Sequence, residues 1–579
     1  MDNARYAELL EETAALMQVR GDNPFKIRAM QKAARVVSGL AESIDARLEA
    51  GTIRDLDGIG KSLASDLAEM RERGSTGLLD DLRASLPDGI TDLLEVQGLG
   101  PKKVKKVYEE LGIGDLDALE AAANDGRIAS LAGFGEKSQA RILTEIERLR
   151  RMAGRTPFHR AWPIAHRILD RLRELDGVER AEIAGSLRRN RETVGDLDFV
   201  VASTEPGPIM EAFSTMDDVT EVIGSGETKT SVWLEGDFSA DLRVVPPEVF
   251  GATLHHFTGS KDHNVAMRSR ALKRGLRISE WGVFRVVEDG DDELVASGTE
   301  EAVYEAAGLP WIPPELREDR GEIEAAESGG LPALIELSQI RGDLHMHTTW
   351  SDGRHSVAEM AEAARGRGLS FIAITDHSRA LTVANGLDRD RLLAQIDEID
   401  AWNAENDGFR VLKGLEVDIL DEGVIDMDTD VLERLDWVVG SVHSRMRQDA
   451  DTMTKRLVAA VESGLISAIG HPTGRLIGTR DPYSFDLETV LDACEAHGVA
   501  LEINASPERL DLNDKMIRQV LARPSLWLTI NTDAHSTSML EQMKFGVGMA
   551  RRGGATADRV LNTLDLDAFL EARRAPSAA

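Results

Sequence analysis

From about residue 340 to residue 535 one pattern recurs: a short apolar run that ends on a histidine or an acid. The runs read RGDLHMHT, LSFIAITDH, RVLKGLEV, LDWVVGSVHS, LISAIGHP and LWLTINTDAH. Short apolar runs of this kind predict strands buried on both faces, as in a parallel sheet. When such a sheet closes, the strand C-termini converge on one rim, where residues serve chemistry rather than packing. That rim carries His345, His347, Asp352, His377, Glu416, His443, His471, Asp533 and His535. Six imidazoles and three carboxylates suit several borderline cations such as Zn²⁺ or Mn²⁺. Scattered surface or core histidines do not explain why six of the chain's 13 follow strands.

The texture differs upstream. Residues 155 to 320 contain strand-like runs, EIAGSLRR, DLDFVVAS, TSVWLEG and FSADLRVV, with helices between them. The stretch LREDRGEIEAAESGGLPALIEL is polar, helical and broken at Ser328-Gly329-Gly330, which marks it as a linker. The first 150 residues carry a weak repeat: Leu56-Asp57-Gly58-Ile59-Gly60-Lys61, Val96-Gln97-Gly98-Leu99-Gly100-Pro101 and Leu131-Ala132-Gly133-Phe134-Gly135-Glu136. Two glycines make a tight turn between helices, and the helix that follows offers free N–H groups to a phosphate. Lys61, Lys102, Lys103 and Lys137 add point charges beside these turns. The tail after about Ala575 is expected to be disordered.

Composition changes this picture in one respect. With 68 basic and 101 acidic residues the formal charge is −33, awkward for a nucleic-acid enzyme that needs a positive footprint. Lysine supplies only 15 of the 68 basic residues, and many acids sit on polar helical faces. That is the hydrated acidic surface suited to a salt-rich cytoplasm, where screening is short-ranged. A length of 579 residues predicts three or four domains, and 42% hydrophobic residues gives each an ordinary core. The single cysteine, Cys494, excludes a disulfide framework. A polar start and the lack of a membrane-length apolar run predict a soluble cytoplasmic protein.

A second constellation stands in the middle. Gly185-Ser186-Leu187-Arg188-Arg189 precedes Gly195-Asp196-Leu197-Asp198 and a Phe-Val-Val run. Residues two apart on a strand share a face, so Asp196 and Asp198 project together, and Asp241 lies in a second run able to pair beside them. Three carboxylates so placed suit two Mg²⁺ or Mn²⁺ ions, one toward an attacking 3′-hydroxyl and one toward a triphosphate. Gly185 and Ser186 offer a phosphate cradle, with Arg189 adding charge.

This string resembles the nucleotidyltransferase signature of family X DNA polymerases, the group that contains DNA polymerase beta. The resemblance continues through Leu254-His255-His256-Phe257-Thr258-Gly259 to Asn264. It implies that His256, Phe257 and Gly259 line the sugar pocket, Asn264 reaches the base and Arg268 lies near the nascent pair. Lys229 resembles a primer- or template-side phosphate contact, and Lys26 a 5′-phosphate contact. Two departures stand out. His256 replaces the family's tyrosine, which leaves ribonucleotide exclusion open. Asp66 stands where lyase-competent relatives place a Schiff-base lysine, and a carboxylate cannot condense with an aldehyde.

The nine rim residues resemble the full motif set of the polymerase-and-histidinol-phosphatase (PHP) domain, which implies up to three Mn²⁺ or Zn²⁺ ions in a distorted β/α barrel. Arg379, Arg445 and Arg475, just beyond three of them, are candidates to position a substrate phosphate. The three glycine motifs (Gly58 and Gly60, Gly98 and Gly100, Gly133 and Gly135) resemble helix-hairpin-helix modules that grip DNA backbone without reading sequence. Together these imply a multidomain α and α/β chain. Its expected parts are a helical domain (1–82), a tandem helix-hairpin-helix (83–153), a mixed-sheet palm (154–250), a thumb-like subdomain (251–320), a linker (321–338) and the PHP barrel (339–575). The expectation is a monomeric gap-filling repair polymerase acting on gapped or primed DNA with dNTPs. Its barrel is expected to act as a 3′-5′ exonuclease, 3′-end processor or abasic-site endonuclease. The alternatives are a small-molecule phosphatase carrying a degenerate polymerase, or a non-catalytic DNA-end scaffold.

Overall fold

A computed structural model describes residues 3–38, 43–56, 58–87, 89–96, 98–152, 155–236, 238–287 and 291–573. The chain forms two compact units, Met1–Ala153 and Gly154–Ala579. Asp57, Gln97 and the tail beyond Arg573 lie outside the described residues.

The first unit is helical, and its three glycine motifs fold as three copies of one turn. Gly58, Gly98 and Gly133 have φ of 86°, 92° and 88°, the left-handed region that glycine enters without steric cost. In each copy the next residue's N–H closes the turn: Ile59 onto Leu56 at 3.0 Å, Leu99 onto Val96 at 2.8 Å and Phe134 onto Leu131 at 3.0 Å. Ile59 and Leu99 are buried, which is why the residue between the glycines is apolar. Gly60, Gly100 and Glu136 then stand at the entries to helices Lys61–Arg73, Pro101–Leu111 and Glu136–Met152. A Cβ on Gly60, Gly100 or Gly135 would meet nothing within 4 Å, so these turns face open space.

The second unit begins with a five-stranded sheet. Its order is Arg180–Ile183, Leu197–Ala202, Phe238–Val245, Lys229–Leu234 and Val219–Ser225. The two central strands run parallel and the other pairings are antiparallel. Strand alternation sorts the faces. Leu197, Phe199 and Val201 enter a core with the helices Phe158–Arg173 and Pro206–Ser214, while Val200 and Ala202 pack toward the helix Phe250–Thr258. Asp198 shares the latter face. The run EIAGSLRR is a strand only to Ile183; Gly185–Arg188 is a helical turn, because the left-handed Gly185 ends the extended backbone. The mostly exposed strand Val219–Ser225 lacks the apolar run that would have announced it.

The thumb-like part holds the helix Lys261–Lys273 and a three-stranded antiparallel sheet around Met267, Tyr304 and Ile312. The stretch read as a linker is packed structure. It contains the helix Glu322–Ser328, whose Ile323 and Ala326 belong to the same core, and Gly329 closes it in the left-handed region.

Seven parallel strands complete the unit, from Gly342–Asp343 to Leu528–Asn531, each beside its sequence neighbour. A parallel bridge from Met346 to Ala534 brings the last strand's end to the first, so the barrel is nearly closed. Its lower end is filled by Leu344, Phe371, Leu412, Trp437 and Val439, and Phe569 of the final helix Leu566–Ala572 plugs it. The polar rim residues therefore stand on an apolar floor.

Ion pairs lock barrel, sheet and thumb together. Arg552, 3% exposed, holds Glu318 at 3.0 Å and Asp514 at 2.7 Å, and donates to the Arg189 carbonyl. Phe545 of the barrel packs edge-on to Phe158 at 5.7 Å, and Lys544 caps the Trp162 ring at 3.9 Å. Removing one partner of such a buried network leaves uncompensated charge, at a cost of about 3 kcal/mol. Arg552→Ala should accordingly lower the urea midpoint of unfolding, whereas Arg365→Ala, which breaks an exposed pair with Glu362, should leave it in place.

Candidate active sites

In the sheet, the parallel register sets Asp198 directly opposite Asp241, and Asp196 precedes Asp198 by two residues. One oxygen from each of the three carboxylates falls within 4.8 Å of the others. Gly185 makes this possible: a Cβ there would lie 2.0 Å from Asp198 Oδ2. Burial, then Asp196 and Asp241, push the Asp198 carboxyl up to about 7; burial and Asp241 also raise Asp196. Lys229 sits 2.5 Å from Asp241 Oδ2 and relieves part of the repulsion.

A cleft of about 400 Å³ opens beside the carboxylates and is lined by Gly185, Ser186, Arg189, Asp196, Asp198, His256, Phe257, Gly259, Asn264 and Arg268, with Arg155 and Lys261. Every residue read as nucleotide-facing thus reaches one cavity. Ser186 Oγ is buried there without a hydrogen-bond partner. Asn264 donates to the His256 carbonyl at 2.8 Å, which leaves its buried Oδ1 unmatched. Arg243 stacks over the Phe257 ring at 4.1 Å.

Two of the expected cations already have acidic partners within the fold. Arg189 is not a free phosphate-binding charge: its guanidinium pairs with Glu318 at 3.1 Å and donates to the Thr258 carbonyl, tying the Gly185 turn to the thumb. Lys229 pairs with Asp241 rather than standing free for a DNA phosphate. In the helical unit Lys26, Lys61, Lys102 and Lys137 are exposed, the last three beside turns of the same geometry.

The rim residues form one basin centred on Glu416, which is 1% exposed. Its Oε1 lies 3.0 Å from His471 Nε2, 3.3 Å from His443 Nε2 and 3.4 Å from His345 Nε2. Its Oε2 lies 2.7 Å from His377 Nδ1 and 3.7 Å from His347 Nε2. Beyond it, His347, Asp352, His377 and His535 converge, as do His345, His347 and Asp533, and His377, Glu416 and His443. All nine rim residues therefore meet. Although His377 Nδ1 is close to Glu416, neither that nitrogen nor Glu416 Oε2 makes a hydrogen bond, and His345 Nε2, His347 Nδ1 and His471 Nδ1 are likewise buried and unpartnered. Close approach without hydrogen-bond alignment is what lone pairs aimed at common points produce.

The electrostatics divide the histidines. Burial opposes charge on His345, but Glu502, Glu416 and Asp533 outweigh it and raise its pKa well above the usual value. His443 is raised to about 10 in the same way, by Glu416 and Asp418. Burial beside His535 and His377 lowers His347 to about 3. Against their own burial, Glu416 and Asp533 are held well below the usual carboxylate range by these imidazoles.

Several residues outside the nine of the rim matter here. Glu502, fully buried, faces His345 Nδ1 at 2.7 Å and accepts from the backbone N–H of His471 at 2.6 Å, so it sets the His345 ring and the backbone that carries His471. Asp418 faces His443 Nδ1 at 3.3 Å. Asp376 gathers Thr348, Ser351 and Gln395 and so shapes the loop between His347 and Asp352. Glu502 and Asp418 sit on strands, inside ALEIN and GLEVD, where a carboxylate facing inward is the available clue. The candidate phosphate arginines are engaged elsewhere. Arg379 pairs with Asp426 at 3.3 Å and Arg445 with Asp421, while the buried Arg475 pairs with Glu192 at 2.8 Å.

Comparison with known proteins agrees with this layout. Residues 253–318 match the DNA polymerase beta thumb family and 343–506 the PHP domain family. Residues 1–76 match a helix-hairpin-helix domain and 90–148 a SAM-like helix-hairpin-helix tandem. The chain is 44% identical over 568 residues to the DNA polymerase/3′-5′ exonuclease PolX of Bacillus subtilis (strain 168), covering 97% of this chain and 98% of that protein. It is also 29% identical over 231 residues to a probable phosphatase of Thermoanaerobacter sp. (strain X514), 38% of this chain and 89% of the relative. A probable phosphatase of Vibrio cholerae serotype O1 (strain M66-2) is 30% identical over 245 residues, 39% and 93% of the two chains. With near end-to-end similarity and a polymerase fold fused to a histidine-lined barrel, the chain belongs to the PolX family, the family X DNA polymerases that carry a PHP domain.

Proposed function

We propose that this chain fills gaps in DNA during repair, extending a primer 3′ end in the palm and processing 3′ ends in the barrel. The observation that carries this reading is the Asp198–Asp241 register pair beside a nucleotide-sized cleft, in a chain that also keeps a complete histidine basin. It works as a cytoplasmic monomer, with residues 1–153 gripping DNA backbone through Gly58, Gly60, Gly98, Gly100, Gly133, Gly135 and the lysines beside them.

The donor sets fit divalent cations: three crowded carboxylates in the palm, and in the basin buried ring nitrogens and carboxylate oxygens without hydrogen-bond partners. Two Mg²⁺ or Mn²⁺ ions held by Asp196, Asp198 and Asp241 supply Lewis acidity toward a 3′-hydroxyl and a triphosphate, as up to three Mn²⁺ or Zn²⁺ ions in the basin do toward a phosphoester. Gly185 and Ser186 hold phosphate oxygens, for which the buried Ser186 hydroxyl has a donor to spare. Phe257 and Gly259 shape the sugar pocket, with the His256 carbonyl fixed by Asn264 as a barrier on the 2′ side. In the basin Glu416 and Asp533 bridge the imidazoles, and Glu502 orients the His345 ring and anchors the His471 backbone. Similarity to probable phosphatases favours a 3′-phosphatase action of the basin alongside nucleotide removal.

Asp198→Asn should abolish one-nucleotide gap extension. It also removes a buried charge from a crowd of like charges, so thermal unfolding without divalent metal should shift up by about 1 kcal/mol. Extension by the variant at the wild-type rate would remove Asp198 from the reaction. His345→Ala together with His347→Ala should lose 3′-end hydrolysis and bound metal, measured by mass spectrometry, yet keep extension. Loss of extension as well would mean the two sites are not chemically separate.

A further inference from the structure

We infer that Arg509 is the phosphate-gripping residue of the barrel basin, binding a phosphoryl oxygen of the strand end being hydrolysed; this rests on the phosphoesterase reading above. In a basin built to hold cations, a guanidinium with a free donor at the edge is the side chain suited to grip a further oxygen of an anionic ester. Position in sequence pointed to Arg379, Arg445 and Arg475, and each has its own carboxylate partner. Arg509 differs. Its Nε lies 3.7 Å from Asp533 Oδ2, while Asp533 Oδ1 faces His347 Nε2 at 3.1 Å, so the guanidinium stands one carboxylate away from the converging ligands. Its Nη1 is buried and has no hydrogen-bond partner, although its side chain as a whole remains 20% exposed. A buried guanidinium N–H left unmatched is a donor awaiting an acceptor.

The backbone that carries Arg509 is held so that this donor cannot drift. Arg475 donates to the carbonyls of Arg509, at 2.8 Å, and Leu510, and its other partner is Glu192 of the palm. Ile477 N–H bonds the Glu508 carbonyl at 2.6 Å, and Asn504 N–H bonds that of Asp511 at the same distance. Leu510 is left in the left-handed region with φ 42°, a conformation this bracing sustains. The palm thus helps build the phosphate subsite of the barrel, through Glu192 and Arg475.

The test compares full-length wild type, Arg509→Ala and Arg509→Lys, all loaded with Mn²⁺, on a labelled primer ending in a 3′-hydroxyl or a 3′-phosphate. Inorganic phosphate serves as competitive inhibitor and, in calorimetry, as a ligand. Arg509→Ala should raise KM and the phosphate inhibition constant by about tenfold to a hundredfold, with Arg509→Lys between. Bound Mn²⁺ and gap extension should stay unchanged, and added guanidinium should restore part of the lost hydrolysis. The two primer ends distinguish ester grip in a diester from grip in a monoester, and an effect on either supports the assignment. Unchanged phosphate affinity in Arg509→Ala overturns it, as does loss of Mn²⁺ with KM intact, which would make Arg509 a brace for Asp533. If wild type hydrolyses neither end, the phosphoesterase reading fails, while phosphate calorimetry on the Mn²⁺-loaded proteins still decides the role of Arg509.

Discussion

Glu416 carries a carboxylate at the centre of a barrel, 1% exposed to water, and an unmatched charge there is among the costliest things a protein can bury. The barrel answers with imidazoles on every side: His345, His443 and His471 on one oxygen, His347 and His377 on the other. Two of those rings are oriented in turn, His345 by Glu502 and His443 by Asp418, and Glu502 is itself held by the Asn504 and Asn531 amides. The apolar plug of Phe371, Trp437 and Phe569 below keeps this network shallow, at the strand ends. The palm meets the same constraint less completely. Asp198 and Asp241 face each other in register with Lys229 as their near cation, so the site remains short of positive charge and open toward the cleft.

The second physical theme is continuity between palm and barrel. Phe545 packs among palm residues, Arg552 reaches the Arg189 carbonyl, and Arg475 reaches Glu192. The last two contacts fall on the segment that joins the Gly185 turn to Asp196, and Phe545 sits on the helix Phe158–Arg173. The polymerase cradle therefore leans on the barrel, and the Arg509 loop of the barrel leans on the palm. Two chemistries that make and break phosphoester bonds share one scaffold wall.

Much of this was legible in sequence, for identifiable reasons. Apolar runs ending in His or Asp are strand ends, and in a parallel barrel those ends meet without any further information, so the nine basin residues could be named. The Asp-x-Asp spacing placed two carboxylates on one face, and the three glycine motifs announced one repeated turn. What sequence could not supply is partnership between distant side chains. Arg189, Lys229, Arg379, Arg445 and Arg475 looked like available cations, yet each is matched to an acid or carbonyl dozens or hundreds of residues away, apart from Lys229, whose partner Asp241 lies on the adjacent strand. Glu502 and Arg509 were silent for the converse reason, because their importance lies wholly in what the barrel closure brings to them. The helix within the 321–338 stretch was legible as helix, but its burial depended on the thumb core it joins.

The central claim is that two separate groups of side chains in one chain are built to hold cations. Crystals of the full chain soaked in Mn²⁺ and measured at the manganese absorption edge test it directly. The account predicts anomalous peaks among Asp196, Asp198 and Asp241, and further peaks around Glu416 within reach of His345, His347 and His377. Manganese bound only at surface acids, with both clusters empty, would contradict it.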